Sequence, residues 1–149
     1  MQKSIDFTKT KFKKGDGIEI EDVIKYINEY YRKGRDVRVT VGCDSKQKAR
    51  TTLYSLVIML YDESLHKGAN ILYIKFQTNK EKDLFTRMMN EATYSLSLGL
   101  YLDEQLNINV PNYGKNTYDD SIPYRKVEIH VDVNPNVNRR SNVAYSSIV

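Results

Sequence analysis

Three carboxylates stand out against the hydrophobic pattern of the sequence. Asp44 ends the apolar run of residues 37–44, Asp132 lies near the end of a later run, and Glu91 lies on the apolar stripe of a helix. A carboxylate on an apolar face costs free energy unless a partner holds it. Three carboxylates packed together repel and need a cation, and oxygen ligands alone select Mg²⁺ or Mn²⁺. Two such ions, about 3.5–4 Å apart, are a usual device for hydrolysing phosphodiester bonds.

A cluster of positive charge follows the first of these acids directly. Lys46, Lys48 and Arg50 come after Asp44 and Ser45. The chain carries 23 Lys and Arg against 19 Asp and Glu, a net charge of +4, and the basic excess lies in the first third. The three basic side chains could form an ordinary solvated loop or could contact phosphates. With Ser45, they are candidate nucleic-acid-binding residues.

The first four predicted elements follow from hydrophobic periodicity. Residues 20–33 place their apolar side chains on one helical stripe. Residues 37–44, 52–62 and 71–77 predict three strands, and their two short connections favour an antiparallel meander. In the first strand, the alternation of side chains puts Asp44 on the face opposite the valines.

A second helix and a fourth strand follow in the predicted order, and Ser141 could cap a last helix after them. Thr78 and Glu81 match a capping box, which predicts a helix from about Lys80 to about Gln105. Residues 124–134 alternate with period two and predict a strand with one polar face. If the first and fourth strands are parallel neighbours, their aspartates lie side by side at one edge of the sheet. The crossing helix can then bring its glutamate onto them.

Each candidate also has a structural interpretation. Asp44 could end its strand by satisfying a turn, and Glu91 could pair with Arg87 one turn back on the helix. His130 has no second histidine or cysteine near it in the pattern, so a packed or hydrogen-bonding role competes with a role in orienting a phosphate. Cys43 alternates onto the valine face, which predicts a small core residue.

The composition is typical of a single globular domain. The 149 residues suffice for one packed core, with 40% hydrophobic and 28% charged residues. Residues 1–17 predict a flexible basic N-terminal arm, and residues 18–149 the domain. We find no run as long as a membrane span and no signal peptide. One cysteine allows no internal disulfide and suits a reducing compartment, so we expect a cytoplasmic protein.

Three segments of the sequence together resemble a known family. They are VGCDSK with Asp44, RMMNEATYSLSL with Glu91, and EIHVDVNPNVNRRSN with His130 and Asp132. In this order and spacing, the chain resembles the ribonuclease H-like superfamily, most closely its YkuK-like branch of predicted nucleases, over residues 20–149. The resemblance implies an α/β fold with a mixed sheet, in which strands 1–3 are antiparallel, strand 4 is parallel and helices flank the sheet. It also implies Asp44, Glu91 and Asp132 as catalytic metal ligands for Mg²⁺ or Mn²⁺, with His130 nearby.

The family pattern extends further than this sequence. Family members continue past the helix that begins near Ser141, so we expect a C-terminally shortened form of the fold. The main hypothesis is a metal-dependent nuclease that cleaves RNA, an RNA–DNA hybrid or DNA. The alternative is a catalytically inactive subunit that binds nucleic acid or serves an assembly. Such a subunit could form a homodimer or a larger assembly through an open sheet edge.

Overall fold

A mixed β-sheet and two helices form the part of the protein that this computed structural model describes, residues 4–65, 68–81, 83–109 and 124–131. The helices are α1 (Val23–Lys33) and α2 (Leu84–Asn107). The strands are β1 (Lys13–Lys14), β2 (Val37–Gln47), β3 (Thr51–Asp62), β4 (Asn70–Asn79) and β5 (Val127–His130). Short 3-10 turns lie at Phe7–Lys9 and Glu63–Leu65.

The sheet combines an antiparallel meander with one parallel strand, as the sequence predicted. Its order is β1-β4-β3-β2-β5, in which β2, β3 and β4 are antiparallel neighbours and β5 runs parallel to β2. A parallel pair needs a crossover connection, and the chain passes through α2 between β4 and β5. The predicted fold class is therefore confirmed. The parallel pair also brings the carboxyl ends of β2 and β5 towards the same edge.

Both helices pack on one face of the sheet. Val41 of β2 and Ile58 of β3 are buried on that face, and Leu98 of α2 belongs to the same core. Gly99 permits the close approach of α2, because a β-carbon there would lie 2.6 Å from Cδ1 of Ile129. Among the described residues, the fully buried apolar side chains are Phe12, Ile27, Val39, Val41, Tyr54, Leu56, Ile58, Leu60, Leu72, Leu98 and Leu102.

The other face of the sheet carries neither helix, and we call it the open sheet face. Met59 and Ile71 pair across β3 and β4 and are each 40% exposed there. Strand alternation and the pairing registers assign its members. They are Lys13, Arg38, Thr40, Gly42, Asp44, Lys46, Thr51, Leu53, Ser55, Val57, Met59, Tyr61, Ile71, Tyr73, Lys75, Gln77, Asn79, Glu128 and His130.

The second helix begins later than its sequence signal predicts. Thr78 lies in β4, where it takes part in pairing with β3, so the predicted capping box of Thr78 and Glu81 is wrong. The N-cap is Asp83, whose Oδ1 accepts a hydrogen bond from the amide of Phe85 at 3.1 Å. Ladder hydrogen bonds already engage the backbone at residue 78. The helix therefore starts at Leu84, directly after Asp83, a capping side chain that lies beyond the end of β4.

The described part of the N-terminal segment packs against the sheet and α2. Phe12 is fully buried, and the ring of Phe7 lies 5.4 Å from that of Tyr101, centroid to centroid. Lys13 and Lys14 then pair with β4 as the edge strand β1. This segment differs from the flexible arm that its composition predicts, because two aromatic side chains among its polar residues reach the core.

Candidate active site

Asp44 lies on the open sheet face, within β2. Its side chain is exposed, and its Oδ1 accepts a hydrogen bond from the amide of Ser45 at 2.9 Å. The sequence predicted that the strand ends at Asp44, but β2 continues to Gln47 because its pairing with β3 persists through the hairpin. Asp44 is opposite Ser55 in that pairing. Its carboxylate therefore projects from the middle of a hairpin arm rather than from a strand end.

Glu91 approaches β2 from the helical side of the sheet. It is 6% exposed on α2, and one of its carboxylate oxygens accepts a hydrogen bond from the hydroxyl of Ser45. Ser45 faces the helices because it alternates with Asp44. Two consecutive residues of β2 are therefore involved with the two acids. Asp44 is itself one acid, and Ser45 holds the other, Glu91, through its hydroxyl.

The charges of both acids act on the thiol of Cys43. Burial, then the charge of Glu91, then that of Asp44 raise the pKa of this thiol well above its ordinary value. Cys43 packs against the core, as the sequence predicted. A thiol held in the protonated form is a weak nucleophile, so the position of Cys43 is explained by its packing against the core.

His130 ends β5 beside the Asp44 strand. It pairs with Gly42 in the parallel register of β2 and β5, and its side chain is exposed on the open sheet face. Asp132 follows His130 by two positions, just as Asp44 follows Gly42. Asp132 lies outside the described residues, as does the predicted helix after Ser141. The meeting of Asp44 with Asp132 therefore stays a prediction.

A hollow opens on the open sheet face above Gly42. The surrounding residues leave an open cavity of about 570 Å³ here, and the glycine has no side chain that would occupy part of it. Its walls include Thr40, Asp44, Val57, Met59 and His130. The hollow therefore has apolar residues from β3 on one side and a carboxylate and an imidazole on the other.

The basic residues after Asp44 lie at the tip of the β2–β3 hairpin. The amide of Lys48 donates to the carbonyl of Thr51 at 2.9 Å, which closes the turn. Lys46, Lys48 and Arg50 are exposed, and Lys46 shares the open sheet face with Asp44. The positively charged side chains that follow Asp44 are therefore accessible to a ligand.

The structural alternative for Glu91, a pair with Arg87, is not observed. The ion pairs between described residues do not join these two side chains, and Nε of Arg87 is buried without a hydrogen-bond partner. Glu91 instead contacts Ser45, at the level of β2 where Asp44 lies. Its position is thus explained by the strand beneath it.

The described carboxylates are of the ligand type that a hard divalent cation prefers, but there are too few of them for a three-carboxylate site. Asp44 and Glu91 offer oxygen ligands, which Mg²⁺ and Mn²⁺ prefer. Within residues 4–65, 68–81, 83–109 and 124–131, no three Asp, Glu, His or Cys side chains are grouped so that they could hold a metal. A three-carboxylate site would therefore require Asp132, as the sequence predicted.

The sequence prediction missed Gly42 and the β3 side of the hollow. A glycine inside a β-branched strand often marks a close approach of another backbone or of a ligand, so Gly42 carried a signal. Val57 and Met59 carried none, because both match an ordinary apolar strand. Only the pairing register places them opposite Gly42 and Thr40.

A comparison with protein families agrees with this fold. A model of the ribonuclease H-like family matches residues 20–149, and the chain belongs to this family. No curated protein and no solved structure matches the chain. The family indicates a nuclease-type or nucleic-acid-related function, and its members generally use divalent metals. The YkuK-like branch stays a prediction.

The described helices do not include a membrane-spanning one. Neither α1 nor α2 is both long and apolar enough to cross a bilayer. Each instead packs one face on the sheet through residues such as Ile27 and Leu98. The apolar character of these helices is therefore explained by the core that they cover.

Proposed function

We propose that this protein is a metal-dependent nuclease that hydrolyses phosphodiester bonds of RNA, an RNA–DNA hybrid or DNA. The parallel pairing of β2 and β5 is the observation that supports the proposal most. It leaves Asp44 and Asp132 each two positions beyond the paired residues Gly42 and His130. Glu91 reaches the same level of β2 through Ser45.

In this proposal, Asp44, Glu91 and Asp132 hold one or two Mg²⁺ or Mn²⁺ ions. A divalent ion supplies Lewis-acid stabilisation of the charge on the reacting phosphate. The hydroxyl of Ser45 orients the Glu91 carboxylate from below. His130, exposed beside Asp44, can donate a hydrogen bond to a phosphate oxygen.

The hairpin tip positions the substrate in the same proposal. Lys46, Lys48 and Arg50 are exposed and offer charge-assisted hydrogen bonds to phosphate oxygens. Such contacts set the position of a nucleic-acid backbone without reading its sequence. The cleaved bond would then lie on the Asp44 side of the hairpin.

Metal binding is tested first by thermal unfolding in a Mn²⁺ titration. A ligand that binds only the folded state raises its stability, so the melting temperature of the parent should rise with Mn²⁺. Asp132→Asn and Asp44→Asn should abolish the rise. Asp36→Asn is the matched control. Asp36 is an exposed aspartate directly before Val37, where β2 begins, at the end of the strand away from Asp44. No rise in the parent at millimolar Mn²⁺ would contradict a metal site.

Cleavage is tested on labelled RNA, DNA and hybrid substrates with the same variants. The parent and Asp36→Asn should cut at least one substrate in Mn²⁺. Asp44→Asn, Glu91→Gln and Asp132→Asn should lose activity by a factor of about 100 or more, because each removes a proposed ligand of the ion that stabilises the reacting phosphate. Folded variants that cut as fast as the parent would refute the proposal.

A second candidate function is a nucleic-acid-binding or assembly subunit without catalysis. Two observations favour it. The side chain of Asp44 projects from the open face of β2, whereas Glu91 lies on the opposite, helical face. The described side chains also provide no group of three that could hold a metal. This function predicts binding that weakens with salt and no cleavage in any metal. A homodimer through the sheet edge at β5 would appear as a doubled mass in sedimentation, and a monomer would weaken the assembly role.

A further inference from the structure

We propose that the open sheet face is a binding platform for single-stranded nucleic acid, which leads the strand across β4, β3 and β2 to Asp44. The proposal names the substrate class of the site above and rests on the proposed function only for what happens at Asp44. Binding itself needs no metal and no cleavage. The platform consists of exposed cations, a partly exposed aromatic ring and the hollow above Gly42.

The charge of the open sheet face suits a polyanion. Lys13, Lys46 and Lys75 are exposed on it, and none of them forms an ion pair with another described residue. Asp44 and Glu128 lie on the same face, and the carboxylate of Glu128 is engaged by the guanidinium of Arg38. Three cations are thus available for phosphate oxygens, in line with the backbone-tracking charge of single-strand binding proteins.

The face also offers places for unstacked bases. Tyr73 is partly exposed in β4, and the ammonium of Lys75 lies 5.8 Å from the centroid of its ring. The same row of the sheet runs from Tyr73 through Val57 and Gly42 to His130. That row crosses three strand spacings, about 14 Å, which is enough for more than one nucleotide.

The hollow above Gly42 is suited to one base. Its cavity of about 570 Å³ is flanked by apolar Val57 and Met59 and by polar Asp44 and His130. A base could place its faces against the apolar side and its edges near the polar groups. A base in a duplex has its faces stacked inside the helix, so only a single strand can use Tyr73 and the hollow.

The decisive experiment measures binding in EDTA, where cleavage cannot interfere. Fluorescence anisotropy would follow labelled 12-nucleotide single strands, oligo(dT) and oligo(rU), and a duplex of equal length over a salt series. The parent should bind at least one single strand at least tenfold tighter than the duplex. Equal or tighter binding of the duplex would overturn the proposal.

Paired lysine variants locate the contact. In Lys46→Gln/Lys75→Gln, the slope of log affinity against log salt should fall by about 1.4, because each phosphate contact on a single strand contributes about 0.7. The matched control, Lys25→Gln/Lys33→Gln, removes the same charge from exposed positions of α1 and should leave the slope unchanged. Equal slopes in the two double variants would overturn the proposal.

Gly42→Ala tests the hollow without disturbing the fold. A β-carbon at this position would lie 3.7 Å from the carbonyl oxygen of His130, an ordinary contact. We expect an unchanged or higher melting temperature together with at least threefold weaker binding of the single strand. Unchanged binding would remove the hollow from the platform and overturn this part of the proposal.

The outcomes separate this inference from the proposed nuclease. If the Lys46→Gln/Lys75→Gln slope falls but no substrate is cut in Mn²⁺, the platform stands and the nuclease fails. If cleavage occurs but the slopes of the two double variants agree, the platform fails and the nuclease stands. If the chain instead forms a dimer that Met59→Lys dissociates, and binds no single strand, a second copy covers this face and the platform fails.

Discussion

At the scale of single residues, neighbouring positions of β2 divide the candidate chemistry between the two faces of the sheet. Asp44 is exposed on the open sheet face, whereas Ser45 points to the helices and donates to buried Glu91. Side chains of different burial have different effects on stability, because loss of a partner is costly only where water cannot replace it. Adjacent substitutions should therefore behave differently.

We expect Ser45→Ala to lower the free energy of unfolding by roughly 1–3 kcal/mol, since a buried carboxylate loses a hydroxyl donor. We expect Asp44→Asn to change it by less than about 0.5 kcal/mol, as for other exposed positions. Urea unfolding of the two variants and the parent at neutral pH without metal measures both. Equal effects of the two substitutions would show that Ser45 does not support Glu91.

Asp62 provides a pH-dependent contribution to stability at the opposite end of the hairpin. Its carboxylate accepts hydrogen bonds from the hydroxyl of Ser64 at 2.6 Å and from the amides of Arg35 and Asp36 at 3.2 Å. The Ser64 hydroxyl above all, helped by the surrounding amides, lowers the pKa of Asp62 below its ordinary value of 3.8. The unfolded chain therefore binds this proton more readily than the folded protein does.

The sign of the effect follows from linkage. A carboxyl with a lowered pKa in the folded state contributes stability above pH 3.8, and this contribution disappears as the pH falls through the folded value. The parent should lose more stability between pH 6 and pH 3 than Asp62→Asn does, measured by urea unfolding at each pH. Asp36→Asn serves as the control. A loss in Asp62→Asn as large as that of the parent would contradict the assignment.

At the scale of elements, the beginning of α2 shows how a strand can override a helix signal. Asp83 caps the helix through the amide of Phe85 and also accepts from the hydroxyl of Thr86 at 3.0 Å. We expect Asp83→Ala to lower stability by about 0.5–2 kcal/mol, the usual effect of losing an N-cap. Thr78→Ala should cost less than Asp83→Ala, in thermal unfolding followed by circular dichroism. The reverse order would restore the capping box.

The other end of α2 holds β5 in its register. Asn107 is fully buried, and its amide nitrogen donates to the carbonyls of Asp103 and Arg125, each at 2.8 Å. Its Oδ1 accepts from the amide of Arg125 at 2.6 Å. The side chain thus acts as a strand partner for Arg125, two positions before β5 begins. Because α2 also carries Glu91, this contact sets the relation between Glu91 and β5.

Asn107→Ala should therefore lower stability by roughly 1–3 kcal/mol, because the backbone groups of Arg125 lose their partners in a buried position. Hydrogen exchange should rise most at the amides of β5, because the variant no longer holds the backbone just before the first residue of this strand. Asn79→Ala, at the exposed end of β4, is the control. Unchanged exchange at β5 would show that the four backbone pairs with β2 suffice to hold the strand.

Local patterns predicted some of these elements and missed others for a physical reason. The three antiparallel strands and both helices were predictable because burial on one face imposes its period on the sequence. The roles of Asp83 and Asn107 depend on which backbone groups are already engaged, and this information is not local. In the same way, Asp44 was recognisable because it ends an apolar run, and Glu91 because it lies on the apolar stripe of a helix. The hydroxyl of Ser45, which links Glu91 to β2, had no such signal in the sequence.

At the scale of the whole molecule, one face of the sheet is packed and the other is open in the described residues. The packed face is closed by α1, α2 and the N-terminal segment, including Phe12 and Phe7. The open sheet face contains Asp44, His130 and the hollow above Gly42. Apart from Glu91, which is buried on the packed face, this division separates the residues that stabilise the fold from those proposed to bind a ligand. Stability and ligand binding should therefore respond to different substitutions.

Phe12 provides the clearest test of this division, because it lies in a segment whose composition suggests an arm. We expect Phe12→Ala to lower the free energy of unfolding by about 3–5 kcal/mol, as large-to-small changes of a buried phenylalanine do. Ile18→Ala is the control, since Ile18 is 59% exposed and its loss should cost less than about 0.5 kcal/mol. Urea unfolding measures both.

The binding measurement completes the test. Under conditions where Phe12→Ala is still folded, its affinity for a single strand should match that of the parent, because Phe12 is on the packed side. A cost below about 1 kcal/mol would instead mean that the segment is dispensable to the core. If Phe12→Ala weakened binding while its stability stayed unchanged, the segment would act on the ligand side, and the separation of the two faces would be wrong.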